Sequence, residues 1–125
     1  GLDDAEEQTA DGKVLTLILA LNYSSRSEIT RAVRKIAARA AAGGIDPAAI
    51  DERTVSEALD TAEYPDPDLI VRTSGECRLS NFLLWQASYA ELYFPEVLWP
   101  DFTEAEFDRA LAEYARRDRR FGLVK

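Results

Sequence analysis

The sequence predicts a layered α/β domain, because apolar runs of strand length alternate with an amphipathic helical segment. Residues 13–21, KVLTLILAL, form a continuous apolar run behind Gly12, which favours a strand buried on both faces, as in a parallel sheet. The next segment, 22–44, reads as a polar loop followed by an amphipathic helix, so strand and helix together make half of a βαβ unit. A second β-branched run, LIVR at 69–72, predicts another buried strand.

The first helix has sequence signals at both of its ends. Ser25 and Glu28 stand at the spacing of a capping box, and Gly43 with Gly44 supplies the stop. The apolar residues that recur between them at helical spacing are Ile29, Val33, Ile36 and Ala40. This pattern predicts a helix with one buried face.

Short helices are predicted next along the chain. Asp46, directly ahead of Pro47, and Asp51 are residues typical of helix starts. Thr54 with Glu57 gives a second capping-box spacing.

The remaining elements follow a proline-rich break. The segment 63–68, EYPDPD, contains two prolines, which exclude regular structure there. Residues 81–88 fit a buried helix segment, and 91–94, ELYF, fit a third strand. Thr103 with Glu106 opens a final helix. Its predicted apolar face consists of Phe107, Leu111 and Tyr114.

Composition narrows the class of protein. A chain of 125 residues with 46% hydrophobic content predicts one globular domain, and a formal net charge of −8 argues against general nucleic-acid binding. Local arginines still allow an anionic small ligand. The single cysteine, Cys77, excludes an intrachain disulfide and fits a reducing compartment such as the cytoplasm. The absence of methionine favours a fragment or a processed piece.

Polar loops follow both predicted strands, at the sheet edge where ligands bind in open α/β folds. These loops are NYSSR, 22–26, and RTSGECRLS, 72–80. Arg72 and Arg78 offer fixed positive charge with a planar fork that matches phosphate oxygens, and Ser80 adds a hydroxyl. The second loop is therefore a candidate diphosphate site.

Two further residues extend that candidate site, and a plainer interpretation stays open beside it. Gly75 would let the backbone approach a ligand closely, and Glu91 would hold Mg²⁺ together with substrate phosphates. Taken alone, two arginines six residues apart are more often surface or ion-paired residues. Asn22 and Arg26 also serve as turn and capping residues, and Glu91 as a satisfied edge-strand carboxylate.

Three segments resemble one enzyme family. PDPDLIVRTSGECRLSNFLLWQASYAELYFPEVLWPDF, 65–102, resembles the C-terminal signature of the cis-prenyltransferases, of which undecaprenyl diphosphate synthase is the best-known member. LNYSSRSEI, 21–29, is similar to the Asn-Tyr-Gly-Gly-Arg segment of that family, and RRFG, 119–122, to its closing Arg-x-Gly motif. The resemblance runs from about Leu15 to Gly122.

The resemblance implies a fold and a domain organisation. The fold would be a mostly parallel sheet flanked by helices, and the whole chain, 1–125, would be the C-terminal half of a single cis-prenyltransferase domain. Within it, 1–12 would form the end of a helix and a turn, and 13–122 the core that matches the family.

Roles in substrate binding also come from the resemblance. Arg72, Arg78 and Ser80 match the residues that grip the diphosphate of isopentenyl diphosphate. Glu91 matches the family glutamate that helps to bind Mg²⁺ at the same diphosphate.

Four more residues match family motifs. Arg120 and Gly122 match the motif that reaches across the interface of a homodimer into the neighbouring site. Asn22 and Arg26 match the loop that lines the active-site crevice.

The chain departs from the family pattern in three places. Ser24 and Ser25 replace two glycines, so the loop must take backbone angles that suit serine. Cys77 stands at a variable position and is expected to be a tolerated filler rather than a nucleophile. Nothing here matches the Asp-Gly-Asn-Gly-Arg loop that binds the allylic diphosphate and supplies the catalytic aspartate, so the catalytic residue is unassigned.

The function implied is that of a Mg²⁺-dependent transferase that condenses isopentenyl diphosphate with an allylic prenyl diphosphate into a Z-polyprenyl diphosphate. The chain would supply the isopentenyl diphosphate site and the dimer motif. The alternative is a non-catalytic partner subunit of a heteromeric cis-prenyltransferase. Hydrophobic products suggest peripheral membrane contact, although no basic amphipathic helix in this chain supports it. Product length and the allylic substrate are not encoded in these residues.

Overall fold

A computed structural model describes residues 1–117, which form four α-helices and two short strands. The helices are α1 (Leu2–Thr9), α2 (Ser25–Ala41), α3 (Glu52–Ser56) and α4 (Glu104–Arg116), and the strands are β1 (Leu69–Val71) and β2 (Glu91–Tyr93). Single 3₁₀ turns occupy Pro47–Ala49, Gln86–Tyr89 and Trp99–Asp101.

The two strands confirm the prediction of a parallel sheet. β1 and β2 pair in parallel, with Leu69 opposite Glu91 and Val71 opposite Tyr93. Parallel strands require a crossover connection, and here the polar loop after β1 forms the first part of that connection. Helix α4 lies against β2, so a small parallel sheet flanked by helices is the architecture of the described chain.

Helix α2 is where the sequence predicts it, but its cap differs from the prediction. The N-cap is Ser24, which has an extended backbone (φ −152°) and whose Oγ accepts the Ser27 N–H at 3.5 Å. The predicted capping box of Ser25 and Glu28 is therefore wrong, because both side chains turn inward and are fully buried. Gly43, at φ +72°, stands beyond the last turn as predicted, since this left-handed conformation favours glycine.

The hydrophobic core lies between α2 and the α3 region. Its buried members are Ala32, Ile36, Ala58 and Leu59, and the partly buried Ile29, Val55 and Trp85 pack against them. Val33, which was predicted to share the buried face, is more than half exposed. The small side chain of Ala32 faces the core in its place.

The short helices begin at the predicted residues with a different partner for one cap. Asp46 caps the 3₁₀ turn through the Ala48 N–H, and Asp51 caps α3 through the Thr54 N–H at 2.8 Å. The capping box is formed by Asp51 and Thr54, so the predicted pairing of Thr54 with Glu57 is wrong.

Two predicted elements of the C-terminal part are altered. Residues 81–88 do not form a helix, and only a 3₁₀ turn begins at Gln86. Helix α4 starts after Thr103 as predicted, although Ala110 is its buried residue while Phe107 and Leu111 stay substantially exposed.

The predicted strand over 13–21 is wrong for this chain. None of these residues is helical or paired as a strand in the described structure, and Val14 and Leu15 are 102% and 84% exposed. A strand buried on both faces requires neighbouring strands and covering helices. The two described strands pair only with each other, so this apolar run has no partner among residues 1–117.

Candidate functional site

A small basic pocket lies where β1 ends. Arg72 follows the strand directly and its N–H donates to the Tyr93 carbonyl at 2.9 Å, which continues the parallel ladder by one residue. The pocket has a volume of about 240 Å³ and is lined by Ile70, Val71, Arg72, Arg78, Leu79 and Phe82. The structure therefore brings the two predicted arginines together on one cavity.

Arg72 carries the most informative feature of this pocket. Its Nε atom is buried and has no hydrogen-bond partner within the described part of the chain. A buried donor without an acceptor destabilises a fold, and a charged donor does so more strongly. An anionic ligand in the pocket would supply that acceptor.

Arg78 is the more accessible of the two arginines. Its side chain is 63% exposed and forms an ion pair with Glu76, two residues earlier in the same loop. Exposed ion pairs contribute little free energy, so this contact can open at low cost in favour of a multiply charged anion.

The loop between the arginines follows an unusual backbone path. Ser74 and Gly75 take positive φ values of +71° and +63°, and their N–H groups donate to the carbonyls of Val97 and Pro95 at 2.8 and 2.9 Å. A Cβ on Gly75 would meet its neighbours only at ordinary contact distance. The turn itself, rather than a close approach, accounts for glycine at this position.

Ser80 lies on the same loop but outside the pocket lining. It is exposed and adopts φ +49°, a left-handed conformation that is uncommon for serine. The structure thus groups Arg72 with Arg78 and leaves Ser80 next to them along the chain.

The first loop lies beside the second rather than inside the basic pocket. Asn22 adopts φ +51° and lines a second, larger cavity, whereas Arg26 is exposed. Because Ser24 is extended and Ser25 begins α2, the two serines avoid the left-handed angles that glycine would allow.

The larger cavity is mostly apolar and adjoins the basic pocket. It has a volume of about 470 Å³, and Phe82 lines both cavities. Its walls include Leu19 and Leu21 of the unpaired apolar run, Tyr64 and Leu83. A cationic pocket next to an apolar cavity suits a ligand with an anionic head and a hydrocarbon body.

A buried carboxylate lies behind these loops, and the sequence pattern had assigned it to a helix cap. Glu28 is 0% exposed and accepts hydrogen bonds from the Tyr23 hydroxyl, the Asp60 N–H at 3.0 Å and the Gln86 amide at 3.2 Å to each oxygen. Burial first, and the hydrogen bond to Glu28 second, raise the pKa of Tyr23. This network fixes the first loop to the segment that follows the second.

The sequence analysis did not identify two residues that hold the site region together, Asn81 and Gln86. Asn81 accepts the Ser25 N–H at its carbonyl, and Gln86 joins the buried Glu28 network. The available signal was a polar amide at two positions of an otherwise apolar segment, 81–88, that was interpreted as a buried helix.

Glu91 does not line the basic pocket. It pairs in register with Leu69, about 10 Å along the strand from Arg72 at the usual rise per residue. Its carboxylate forms an ion pair with Arg117 at 2.8 Å, and this hydrogen bond is the main cause that raises the pKa of Arg117. Arg120 and Gly122 lie outside the described residues.

The donor set suits only one kind of metal site. No cluster of three His, Cys, Asp or Glu side chains suitable for a metal ion occurs within residues 1–117. A single carboxylate such as Glu91 fits a Mg²⁺ ion that is held mainly by diphosphate oxygens and water. The thiol of Cys77 is free and exposed.

Comparison with known proteins places the chain in one family. Residues 1–122 match the prenyltransferase family model of undecaprenyl diphosphate synthase. Isoprenyl transferase 2 of Bradyrhizobium diazoefficiens is 56% identical over 121 residues, which are 97% of this chain and 48% of that protein. An isoprenyl transferase of Agrobacterium fabrum is 54% identical over 123 residues, or 98% of this chain and 50% of the relative. The chain spans about half the length of these curated relatives.

A solved structure agrees with the sequence matches. Lavandulyl diphosphate synthase from Lavandula x intermedia, in complex with dimethylallyl diphosphate, superimposes with a TM-score of 0.91 at 44% identity. The match covers 97% of this chain and 52% of that protein. Within residues 1–117, no helix has both the length and the apolar character needed to cross a bilayer.

Proposed function

Because the chain belongs to the undecaprenyl diphosphate synthase family of prenyltransferases, we propose that its basic pocket binds the diphosphate of isopentenyl diphosphate. The observation that carries this proposal is the buried Nε of Arg72, which has no acceptor among the described residues, on a residue that lines one cavity together with Arg78. The family relationship supports a transferase. The assignment of this substrate to this pocket is our inference.

The chemistry of the pocket supports a diphosphate in particular. Arg72 would donate from a buried, fixed position, while Arg78 would exchange its exposed ion pair with Glu76 for a phosphate oxygen. Ser80 would add a hydroxyl from the rim of the pocket. Phe82 lines both cavities, so the hydrocarbon part of the ligand would extend past it toward the apolar side.

The reaction proposed for the whole protein is the condensation of isopentenyl diphosphate with an allylic prenyl diphosphate to a Z-polyprenyl diphosphate. The allylic diphosphate and the catalytic residue would be supplied by the part of the family fold that this chain does not span. Asn22 and Arg26, on the loop beside the apolar cavity, would line the crevice between the two substrates.

Mg²⁺ is the cofactor that we propose for this site. It would enter with the diphosphate, and Glu91 would contribute one carboxylate after releasing Arg117. Bound Mg²⁺ would neutralise charge on the diphosphate oxygens.

Assembly and location are part of the same proposal. A homodimer would bring Arg120 and Gly122 of one protomer to the site of the other. A single free, exposed cysteine suits the reducing cytoplasm, with peripheral membrane contact arising from the hydrophobic product.

Calorimetric titration of isopentenyl diphosphate with Mg²⁺ into the full chain tests the proposal. Loss of a hydrogen bond to a charged group costs about 1.5–3 kcal/mol, so Arg72→Ala should raise Kd roughly 10- to 150-fold. Arg72→Lys should recover only part of this, because lysine lacks the planar fork. Arg53→Ala, which removes an exposed arginine of α3, is the matched control and should leave Kd unchanged.

The titration also distinguishes an enzyme from the alternative, a non-catalytic partner subunit. A wild-type chain that binds no diphosphate but associates with a catalytic relative would be a non-catalytic partner subunit. Equal weakening by Arg72→Ala and Arg53→Ala would mean that net charge, rather than the pocket, attracts the ligand.

A further inference from the structure

The N-terminus of α2 is capped by a residue 55 positions away in the sequence. The Ser25 N–H donates to the Asn81 carbonyl at 2.8 Å, and the Arg26 N–H donates to Asn81 Oδ1 at 2.9 Å. The next two N–H groups, of Ser27 and Glu28, donate to Ser24 at Oγ and at the carbonyl. The N–H groups of Ser25, Arg26 and Ser27, which have no carbonyl partner within the helix, are therefore satisfied, two of them by Asn81 in the segment that follows β1.

Two further hydrogen bonds, which involve side chains of Ser24 and Ser25, join the start of α2 to the same segment. Asn81 Nδ2 donates to Ser24 Oγ at 3.0 Å. The fully buried Ser25 accepts the Leu84 N–H on its Oγ at 3.0 Å. Four hydrogen bonds thus join residues 24–26 to residues 81–84, and we refer to this set as the loop clamp.

The loop clamp holds a segment that would not keep its shape unaided. Ser80, Asn81 and Leu83 take φ values of +49°, +64° and +46°. Left-handed conformations of residues other than glycine are unfavourable, although asparagine tolerates them better than serine or leucine. They persist where surrounding contacts determine them, and the clamp bonds are made by Asn81, inside this run, and by Leu84, which directly follows it.

The clamped segment leads directly into the basic pocket. Arg78, Leu79 and Phe82 line that pocket, and they flank the two left-handed residues Ser80 and Asn81. The backbone path at 80–83 therefore sets where Arg78 and Phe82 emerge. The Tyr23 and Phe82 rings, edge to face at 5.7 Å between centroids, add an apolar contact between the same two loops.

We propose that Asn81 and Ser25 are positioning residues, which hold the Arg78 loop in its diphosphate-binding shape: Asn81 caps α2 from outside the helix, and Ser25 Oγ accepts the Leu84 N–H. The proposal rests on the proposed function for the identity of the ligand. The two serines that stand where the family pattern has glycines contribute hydroxyl acceptors to the clamp. Their side chains fasten the loops together.

The test uses Asn81→Ala and Ser25→Ala in the full chain, with inorganic diphosphate and Mg²⁺ as the probe. Each variant should raise Kd about tenfold, which corresponds to about 1.4 kcal/mol. Amide hydrogen exchange should accelerate at Arg26 in the first variant and at Leu84 in the second, because each N–H loses its acceptor. Asp51→Ala is the matched control: it removes the cap of α3, away from the loops, and should leave Kd unchanged.

The outcomes separate the clamp from the ligand assignment. Faster exchange with a Kd within twofold of wild type would overturn the proposal, since the loops would be joined without positioning the site. Unchanged amide hydrogen exchange at Arg26 and Leu84 in the two variants would also overturn the proposal, because the clamp hydrogen bonds would then not protect these N–H groups. If the wild-type chain binds no diphosphate, the proposed function fails, and the exchange rates still decide whether Asn81 and Ser25 hold the loop.

Discussion

Replacing Glu28 by alanine should destabilise the chain more than any surface substitution. The carboxylate is fully buried and accepts from three donors, the Tyr23 hydroxyl, the Asp60 N–H and the Gln86 amide. The Tyr23 hydroxyl can rotate toward other acceptors, whereas the Asp60 N–H and the Gln86 amide would each lose a hydrogen bond to a charged group, with Gln86 keeping only its bond to Thr61 Oγ1 at 2.9 Å. At about 1.5–2.5 kcal/mol for each, the expected loss is about 3–5 kcal/mol in the free energy of unfolding. Domains have about 5–15 kcal/mol in total, so this loss is large.

Glu28→Gln provides the graded comparison. The Gln86 Oε1 atom is buried and has no partner in residues 1–117, so a flip of the Gln86 amide would let it accept from the new glutamine. The expected loss is then about 1–2 kcal/mol, the value of one or two weakened hydrogen bonds.

Urea unfolding followed by circular dichroism at 222 nm measures both variants. Glu57→Ala is the matched control, because it removes a glutamate from an exposed pair with Arg53 and should cost less than about 1 kcal/mol. If Glu28→Ala and Glu57→Ala unfold at the same urea concentration, the buried network does not hold the two loops together and the reasoning is refuted.

Two further predictions concern Tyr23 and Glu91. Because burial raises the pKa of Tyr23 above its usual 10.0, the unfolded chain loses this proton first as the pH rises, so stability should fall above pH 10. Tyr23→Phe should reduce this loss in alkaline unfolding curves, and an unchanged curve would contradict it. Arg117→Gln should release Glu91 and increase Mg²⁺ affinity by roughly 1.5- to 5-fold in a calorimetric titration with diphosphate present, the equivalent of a partly exposed ion pair. Glu91→Gln should lower that affinity, and a Mg²⁺ affinity unaffected by both changes would exclude Glu91 as a ligand.

Local signals in the sequence predicted the elements whose stability is local. Asp46 and Asp51 cap the helices that follow them, Gly43 ends α2, and the β-branched run at 69–72 and the apolar segment at 91–94 contain the two strands. For the helix ends the determining contact lies within a few residues of the signal, whereas the two strands are stabilised by pairing with each other.

Predictions failed where a distant residue takes over a local role. Ser25 and Glu28 have capping-box spacing, yet Asn81 satisfies two of the N–H groups at the start of α2, which frees both side chains to turn inward. Arg72 and Arg78 line one pocket because a strand end and a polar loop bring them together. Glu91 lies opposite Leu69 in the register of the sheet, away from Arg72 along the strand.

The apolar run at 13–21 has the sequence of a buried strand, yet the strand prediction is wrong for this chain for a physical reason. Its sequence is suited to a strand covered on both faces, and a strand forms only with a neighbour that supplies hydrogen bonds and apolar cover. Among the described residues, β1 and β2 pair only with each other, and the side chains of the run are exposed to solvent. The chain spans about half the length of its curated relatives. Leu19 and Leu21 nevertheless already line the apolar cavity beside Phe82, and this strand-forming sequence therefore contributes a wall to the candidate site without the sheet.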